Sequence, residues 1–279
     1  MGASASSIES PFAMPFVHAG ADDPRNAAEA LVLATLTAQS EQLVAAEALR
    51  RQSEALALAA HELRNPLMPI RTVAALLAKG AVQDELPRLG KLLERQVMHM
   101  TRLIDDLLDV ARVATGKLHL DRHRLDLRDV FDDALEVCKP AMDARAQAFA
   151  IRLPDEPLVL EGDLVRLTQV FVNILNNASK YTPMGGDIAL ECRVRAVGGG
   201  AGEAVVVVRD NGIGITPEAL PSIWEPFVQD PLAIGFSKQG LGVGLTLVRE
   251  LVRAHSGSVS ASSAGAGQGS AFVVDLPLA

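Results

Sequence analysis

The sequence is poor in aromatic residues and in cysteine. Aromatic side chains make up 4% of the 279 residues, although 49% of the residues are hydrophobic. Alanine and leucine dominate the apolar residues, which favours helices packed against helices. The two cysteines, Cys138 and Cys192, form no metal-ligand or redox motif. We therefore expect both to be buried hydrophobes in a reducing compartment.

The sequence also lacks the signals of membrane and nucleic-acid-binding proteins. No run of about eighteen uninterrupted apolar residues occurs, which predicts no membrane span in this chain. Residues 1–7 carry no basic region followed by an apolar core, so no secretory signal is predicted. The net charge of −8 argues against a nucleic-acid partner. The expectation is a soluble cytoplasmic protein, and a piece cut from a larger one fits these observations equally well.

Two long helices are predicted in the first part of the chain. Residues 1–24 are rich in serine, alanine, glycine and proline and are expected to form a flexible arm. Residues 25–79 contain no glycine, and their apolar side chains recur at alternating steps of three and four. A second helical run covers residues 84–114. Because a lone antiparallel hairpin cannot bury both apolar faces, we predict a domain at 25–115 that forms a homodimeric four-helix bundle.

After Gly116 the pattern changes to alternating helices and strands. A second domain, an α/β sandwich, is therefore predicted at residues 122–279. Its predicted helices cover residues 126–147, 162–180 and 241–255. Its predicted strands cover residues 148–153, 187–197, 204–210, 257–263 and 270–277.

A histidine with chemically useful neighbours lies inside the first predicted helix. Asn65 shares the helix face of His61, and Glu62 follows the histidine directly. A neutral imidazole attacks phosphorus through one ring nitrogen while the other donates to a carboxylate, a role that suits Glu62. Asn65 is suited to placing a water for the reverse, hydrolytic reaction. The alternative is a surface histidine beside an accidental glutamate. Pro66 and Pro69 count against it, because prolines in a helix interior are costly and should bend or loosen the helix.

Four polar residues share one broad face of the helical segment at residues 169–181. Asn173 and Asn177 offer amide oxygens that suit Mg²⁺, and Lys180 offers an ammonium group for phosphate. Tyr181 offers a ring for adenine or ribose. A polar face turned to solvent explains the same spacing, and the spacing alone does not decide between the two.

An acidic turn follows the apolar strand at residues 205–208. Asp210 at the end of a strand can accept the exocyclic amine of adenine, and Gly212 and Gly214 let the backbone approach the base. An isolated Asp-Asn-Gly sequence would instead be read as an ordinary turn.

A second glycine-rich stretch opens the predicted helix at 241–255. Gly240, Gly242 and Gly244 at a helix start expose N–H groups that bind phosphate oxygens. The motif alone is weak, because it lacks a dinucleotide or Walker context. The segment between Phe227 and Gly240 has no clear period and is a candidate mobile lid, with Lys238 as a phosphate contact. A plain surface loop is the alternative there.

Taken together, these motifs resemble those of the sensor histidine kinases of two-component signalling. The resemblance covers about residues 50–279, and it is specific because five motifs occur in the family's order. They are similar to the H box at 61–67, the N box at 173–181, the G1 box at 210–214, the F box at 224–227 and the G2 box at 240–244.

The resemblance implies a dimerisation and histidine-phosphotransfer bundle followed by a Bergerat ATP-binding fold, a mixed sheet with helices on one face. It implies ATP and Mg²⁺ as cofactors, His61 as phosphoacceptor and Glu62 as general base. The phosphoryl group would pass to an aspartate in the receiver domain of a separate response regulator, with a phosphatase activity through Asn65. Asn177 would hold Mg²⁺ with help from Asn173. The implied nucleotide-binding set is Asn173, Asn177, Lys180, Tyr181, Asp210, Gly212, Gly214, Phe227, Lys238, Gly240, Gly242, Gly244 and Leu245.

Two alternatives to a kinase are weighed against the sequence. An ATP-hydrolysing clamp of the same ATP-fold superfamily usually carries a glutamate near the position of Asn173, where this chain has an amide. A non-catalytic dimeric scaffold would not need the intact pocket motifs. Trp224 stands where phenylalanine is commoner in the family, and Gln239 where another glycine is expected, which bears on the mobility of the lid.

Overall fold

The order of helices and strands follows the predicted pattern closely. The computed structural model describes residues 24–78, 85–196, 202–236 and 240–279. Two compact units make up the chain, Met1–Glu54 and Ala55–Ala279. The predicted flexible arm lies outside the described residues, except for Pro24 at the start of the first helix. No helix among the described residues combines the length and apolar character that a membrane crossing requires.

Helix α1 covers Pro24–Ala78 and helix α2 covers Leu86–Ala114. In the second unit the two helices pack as an antiparallel pair. Val73 of α1 packs with Leu89 near the start of α2, and Ala59 packs with Leu103 further along. Helix α1 continues through Pro66 and Pro69 to its end. Apolar side chains of both helices remain exposed in the single chain, among them Leu67, Val97, Met98, Ile104 and Leu108.

The second half of the chain forms a five-stranded mixed sheet with helices on one face. The sheet order is β2, β4, β5, β7, β6; β2 runs parallel to β4, and the other neighbours are antiparallel. The strands are β2 at Ala148–Arg152, β4 at Asp187–Arg195, β5 at Glu203–Asp210, β6 at Ser258–Ser262 and β7 at Ser270–Pro277. The helices are α3 at Leu127–Ala144, α4 at Leu164–Tyr181, α5 at Pro231–Phe236 and α6 at Gly244–Ala254. This confirms the predicted α/β fold of the second domain, a mixed sheet with helices on one face.

Alternation along the central strand separates the two faces of the sheet. Ala204, Val206 and Val208 of β5 belong to the main core, which also contains side chains of α3, α4 and α6. Val205 and Val207 belong to a separate cluster on the opposite face. Side chains at successive strand positions point to opposite faces, so the helices cover one face only.

Buried polar contacts fix α4 and α6 relative to each other. Asp163 is the N-cap of α4, and its side chain accepts a hydrogen bond from the Arg166 N–H. The backbone N–H of Asp163 donates to Nε2 of His255, 3.0 Å away, while Nδ1 lies 2.8 Å from the Leu251 carbonyl oxygen. Burial lowers the pKa of His255. The imidazole at the end of α6 therefore has a structural role, because it holds the start of α4 in place.

Three short elements were not predicted. Strands β1 at His123–Asp126 and β3 at Val159–Gly162 form a separate antiparallel pair. Four residues are too few to show a period of two against background, and half of β1 is solvent-exposed. Helix α5 lies within the segment that we expected to be a lid. The glycine-rich run at residues 198–202 indicates a hairpin turn by its composition, and it lies outside the described residues apart from Gly202.

Candidate functional site

A cavity of about 620 Å³ opens between α4, the end of β5, the segment that leads into α6, and helix α2. Ten of the thirteen predicted nucleotide-binding residues line it: Asn173, Asn177, Lys180, Tyr181, Asp210, Gly214, Gly240, Gly242, Gly244 and Leu245. Gly212 and Phe227 are not part of the lining, and Lys238 lies outside the described residues.

Asp210 lines this cavity, and hydrogen bonds hold its carboxylate in place. Oδ1 accepts a hydrogen bond from the Gly212 N–H at 2.9 Å, and Oδ2 accepts from the Ser270 hydroxyl at 2.5 Å. A Cβ atom at Gly212 would collide with the carbonyl oxygen of Tyr181. Gly212 does not line the cavity, but its lack of a side chain lets the Asp210 turn close against the end of α4. Each carboxylate oxygen keeps a second lone pair for a ligand.

Helix α4 supplies one polar wall. Its predicted residues Asn173 and Asn177 are half-buried there. The Nδ2 atom of Asn173 is buried without a hydrogen-bond partner among the described residues. Nζ of Lys180 lies 2.9 Å from the Tyr181 hydroxyl and 4.7 Å from the centre of its ring. A buried polar group without a partner is costly, so the Asn173 amide is free to contact a polar ligand or water in this cavity.

The glycine-rich segment supplies another part of the cavity lining. Gly240 and Gly242 have positive φ angles of 121° and 70°, which residues with side chains rarely adopt. A Cβ at Gly242 would lie 2.7 Å from the Val228 carbonyl oxygen, and one at Gly244 would lie 3.6 Å from Oδ1 of Asn173. Gly244 begins α6 and lines the cavity close to the Asn173 amide. The first N–H groups of a helix have no partner within the helix. Such a helix start attracts phosphate oxygens.

Phe227 has a packing role next to this segment. Its backbone N–H donates to the Gly242 carbonyl oxygen at 3.0 Å, and its φ angle is 66°. Its side chain packs on a cluster formed by Ala59, Leu103, Leu241 and Val243. The cluster joins both long helices to the glycine-rich segment.

His61 presents its ring to solvent on helix α1. The side chain is 67% exposed, and Nδ1 lies 3.7 Å from Oε1 of Glu62. Nδ2 of Asn65 lies 3.5 Å from the same ring nitrogen and donates to Glu62 Oε1 at 3.2 Å. Both neighbours therefore face Nδ1, and Nε2 is the ring nitrogen that they leave available.

Glu62 connects the histidine to the cavity of the same chain. Only 4% of this residue is exposed, and its Oε2 accepts a hydrogen bond of 3.0 Å from the Gly240 backbone N–H. A Cβ at Gly240 would lie 3.4 Å from Nζ of Lys180. The neighbour of His61 is thus directly bonded to the edge of the cavity, a contact that helix periodicity cannot reveal.

Helix α2 adds residues that the sequence did not indicate. His99, Arg102, Leu103 and Asp106 line the cavity beside the predicted residues. His99 is half-buried. Burial raises the pKa of Asp106 to about 6, against the lowering effect of Arg102. The heptad pattern of α2 shows which residues are apolar but not which polar ones meet another domain.

Among the described residues, no three histidine, cysteine, aspartate or glutamate side chains converge as a metal site. The predicted Mg²⁺ ligands Asn173 and Asn177 are amides, which do not belong to that set, and both line the cavity. Their side-chain oxygens are the atoms that could hold the ion.

Two protein families match the chain. Residues 51–116 match the "His Kinase A (phospho-acceptor) domain", and residues 162–279 match the "Histidine kinase-, DNA gyrase B-, and HSP90-like ATPase". The "Adaptive-response sensory kinase SasA" of Thermosynechococcus vestitus is 35% identical, over 84% of this chain and 62% of its own. The "Non-motile and phage-resistance protein" of Caulobacter vibrioides is 31% identical, over 86% of this chain and 29% of its own. The chain thus spans less than two thirds of these curated relatives.

Solved structures share the arrangement of the fold. The structure of full-length ShkA in complex with AMPPNP superimposes with a TM-score of 0.59 at 28% identity, over 81% of this chain and 46% of that one. The Acinetobacter baumannii histidine kinase AdeS gives a TM-score of 0.59 at 23% identity, over 78% of this chain and 98% of that one. At that identity the AdeS structure supports the fold alone.

Proposed function

Because the chain belongs to the sensor histidine kinases of two-component signalling, we propose that it transfers the γ-phosphoryl group of ATP to its own His61. The observation that carries this proposal is the 3.0 Å hydrogen bond between Gly240 N–H and Glu62 Oε2. It ties the residue next to an exposed imidazole to the glycine-rich wall of the cavity. A hydrolytic clamp or a scaffold would have no use for that contact.

In this proposal different parts of the cavity bind different parts of the nucleotide. Asp210 accepts the exocyclic amine of adenine, and Tyr181, Gly214 and Leu245 enclose the base and ribose. Lys180 and the N–H groups of Gly240, Gly242 and Gly244 bind the phosphates. Mg²⁺, held by Asn177 with Asn173 assisting, would neutralise charge on the phosphates.

The transfer step follows from the environment of the two ring nitrogens. Nε2 of neutral His61 attacks the γ-phosphorus, the N–P bond forms, and the bond to the bridging oxygen breaks as ADP leaves. The positive charge that develops on the ring is relieved when Glu62 takes the proton of Nδ1. Its Oε1 lies 3.7 Å from that nitrogen, so the pair must close by several tenths of an ångström during the reaction.

The same chemistry defines the partners that we propose. The exposed apolar side chains of α1 and α2 support a homodimeric four-helix bundle. Phosphorylated His61 then donates its phosphoryl group to an aspartate of a response-regulator receiver domain, and Asn65 positions water for dephosphorylating that regulator.

We assign the arm to residues 1–24, the phosphotransfer domain to 25–115 and the ATP-binding domain to 122–279, in the cytoplasm.

Labelling with γ-labelled ATP and Mg²⁺ tests the proposed function. We expect phosphoprotein whose label is lost in acid and stable in base, because phosphoramidate bonds to histidine hydrolyse under acid. Acid-stable label would indicate a hydroxyl acceptor and contradict the proposal. Release of inorganic phosphate without protein labelling would favour the clamp, and nucleotide binding without either would favour the scaffold.

The Glu62–Gly240 contact lies within one chain, so we further propose that each pocket phosphorylates the histidine of its own chain. Mixing His61→Gln with Asn177→Ala chains under conditions of subunit exchange is expected to give no label. A heterodimer of the wild-type chain with the double variant is expected to be labelled on its wild-type chain. Label restored in the first mixture would show transfer between chains and contradict this direction of transfer.

A further inference from the structure

A buried carboxylate joins helix α2 to helix α4. Asp109 is 3% exposed, and its Oδ2 accepts hydrogen bonds from Arg166 Nη1 at 2.7 Å and Gln169 Nε2 at 3.0 Å. Nη1 of Arg112 donates to Oδ1 at 3.3 Å. Arg166 also donates to Oε1 of Gln169 at 2.8 Å, so the two α4 side chains act as one donor pair. None of these residues belongs to the motifs that define the cavity.

This cluster lies on the same helix as two residues of the cavity wall, so it can affect the reaction there. Helix α4, which carries Arg166, is also the helix of Asn173 and Asn177 on the cavity wall. Two sets of polar contacts connect the long helices to the ATP-binding domain. They are the Glu62–Gly240 hydrogen bond and the Asp109 cluster. The apolar cluster of Ala59, Leu103, Leu241 and Val243 belongs to the same contact.

We propose that Asp109 is a positioning residue, which holds the ATP-binding domain on its own helical hairpin so that Gly240 meets Glu62. This inference rests on the proposed function, since it concerns delivery of the phosphoryl group to His61. Apolar contacts alone allow a helix to slide, whereas a carboxylate that accepts hydrogen bonds from two α4 side chains specifies both position and direction. Burial raises the pKa of Asp109, but the bonds from Gln169 and Arg166 outweigh it, so the pKa lies below its ordinary value. The carboxyl group of Asp109 is therefore ionised at neutral pH.

The test compares Asp109→Asn, Arg166→Gln and the double variant in the full chain. Asp109→Asn removes the negative charge and keeps the side-chain shape, whereas Arg166→Gln removes the positive charge and shortens the side chain. We expect the maximal autophosphorylation rate to fall about tenfold or more in each, the scale of one charge-assisted hydrogen bond. The affinity for Mg²⁺–ATP should be unchanged, because neither side chain lines the cavity. Asp105→Asn, an exposed aspartate of the same helix, should keep the wild-type rate.

Three readouts separate positioning from simple loss of fold. The double variant should be no slower than the slower single variant, because both remove the same tie. Amide hydrogen exchange should become faster at Gly240 in Asp109→Asn, since its N–H loses Glu62 as a steady acceptor. Thermal unfolding of the variants should remain cooperative.

Several results would overturn the inference. A wild-type or faster rate in Asp109→Asn would exclude a positioning role, as would a loss of rate matched by an equal loss of ATP affinity. Rate losses that multiply in the double variant would show that Asp109 and Arg166 act separately. A wild-type chain that is never labelled would instead refute the proposed function, so the two failures are distinguishable.

Discussion

Replacing His61 with glutamine is expected to abolish labelling from γ-labelled ATP and to leave ATP binding unchanged. Glutamine offers an amide nitrogen, which is not nucleophilic at neutral pH, in place of a ring nitrogen with a free lone pair. Because the side chain is 67% exposed, the change should have little effect on folding. We expect the labelling rate to fall by about three orders of magnitude or more, the usual effect of losing a nucleophile.

His119→Gln is the matched control for this experiment. His119 is exposed and lies in the segment between α2 and β1, so its variant should be labelled at the wild-type rate. Nucleotide binding by His61→Gln, measured by calorimetry, should show the wild-type affinity. Acid-labile label that survives on His61→Gln would exclude this residue as the acceptor and point to another imidazole, with His99 on the cavity wall as the first to examine.

Replacing Asn177 with alanine is expected to lower the labelling rate by about a hundredfold or more and to remove its dependence on Mg²⁺. The amide oxygen is the proposed metal ligand, and a phosphoryl transfer loses much of its charge stabilisation when the metal is misplaced. Asn177 is half-buried on the cavity wall. Shortening this side chain therefore enlarges the ligand cavity and leaves the main core intact.

Glu136→Ala, on the exposed side of α3, controls for general effects on the ATP-binding domain and should be labelled normally. Titration of Mg²⁺ against labelling rate separates metal binding from nucleotide binding. Normal, Mg²⁺-dependent labelling by Asn177→Ala would remove its proposed role. A loss of rate together with loss of cooperative unfolding would indicate a structural effect instead.

Elements with a sustained period were predictable from the sequence, and short ones were not. Helix α1 was predicted at 25–79 and found at Pro24–Ala78, and the predicted strand at 204–210 was found at Glu203–Asp210. Both have enough residues for the period to exceed background. The four-residue strand at Val159–Gly162 gains its structure from pairing with β1 and its burial from the core. Its own sequence therefore carries little of the information.

The cavity shows a similar division. Asn173, Asp210 and Gly244 lie far apart in sequence, and their association followed from motif order rather than from periodicity. Their place on one cavity wall or another is a property of the sheet and of the packing of α4 and α6. The sequence could not indicate that Asp109 is buried between helices, because a charged residue on an amphipathic helix is usually solvent-exposed. Contacts between two domains obey no period along either one.

Locating the phosphoryl group in the wild-type chain tests the central claim most directly. The chain is incubated with Mg²⁺–ATP, digested at neutral to alkaline pH, and its phosphopeptides are sequenced by mass spectrometry. We predict one modified residue, His61, in the peptide that also contains Glu62 and Asn65. Phosphate found only on another residue, or a chain that hydrolyses ATP and remains unmodified, would contradict the account.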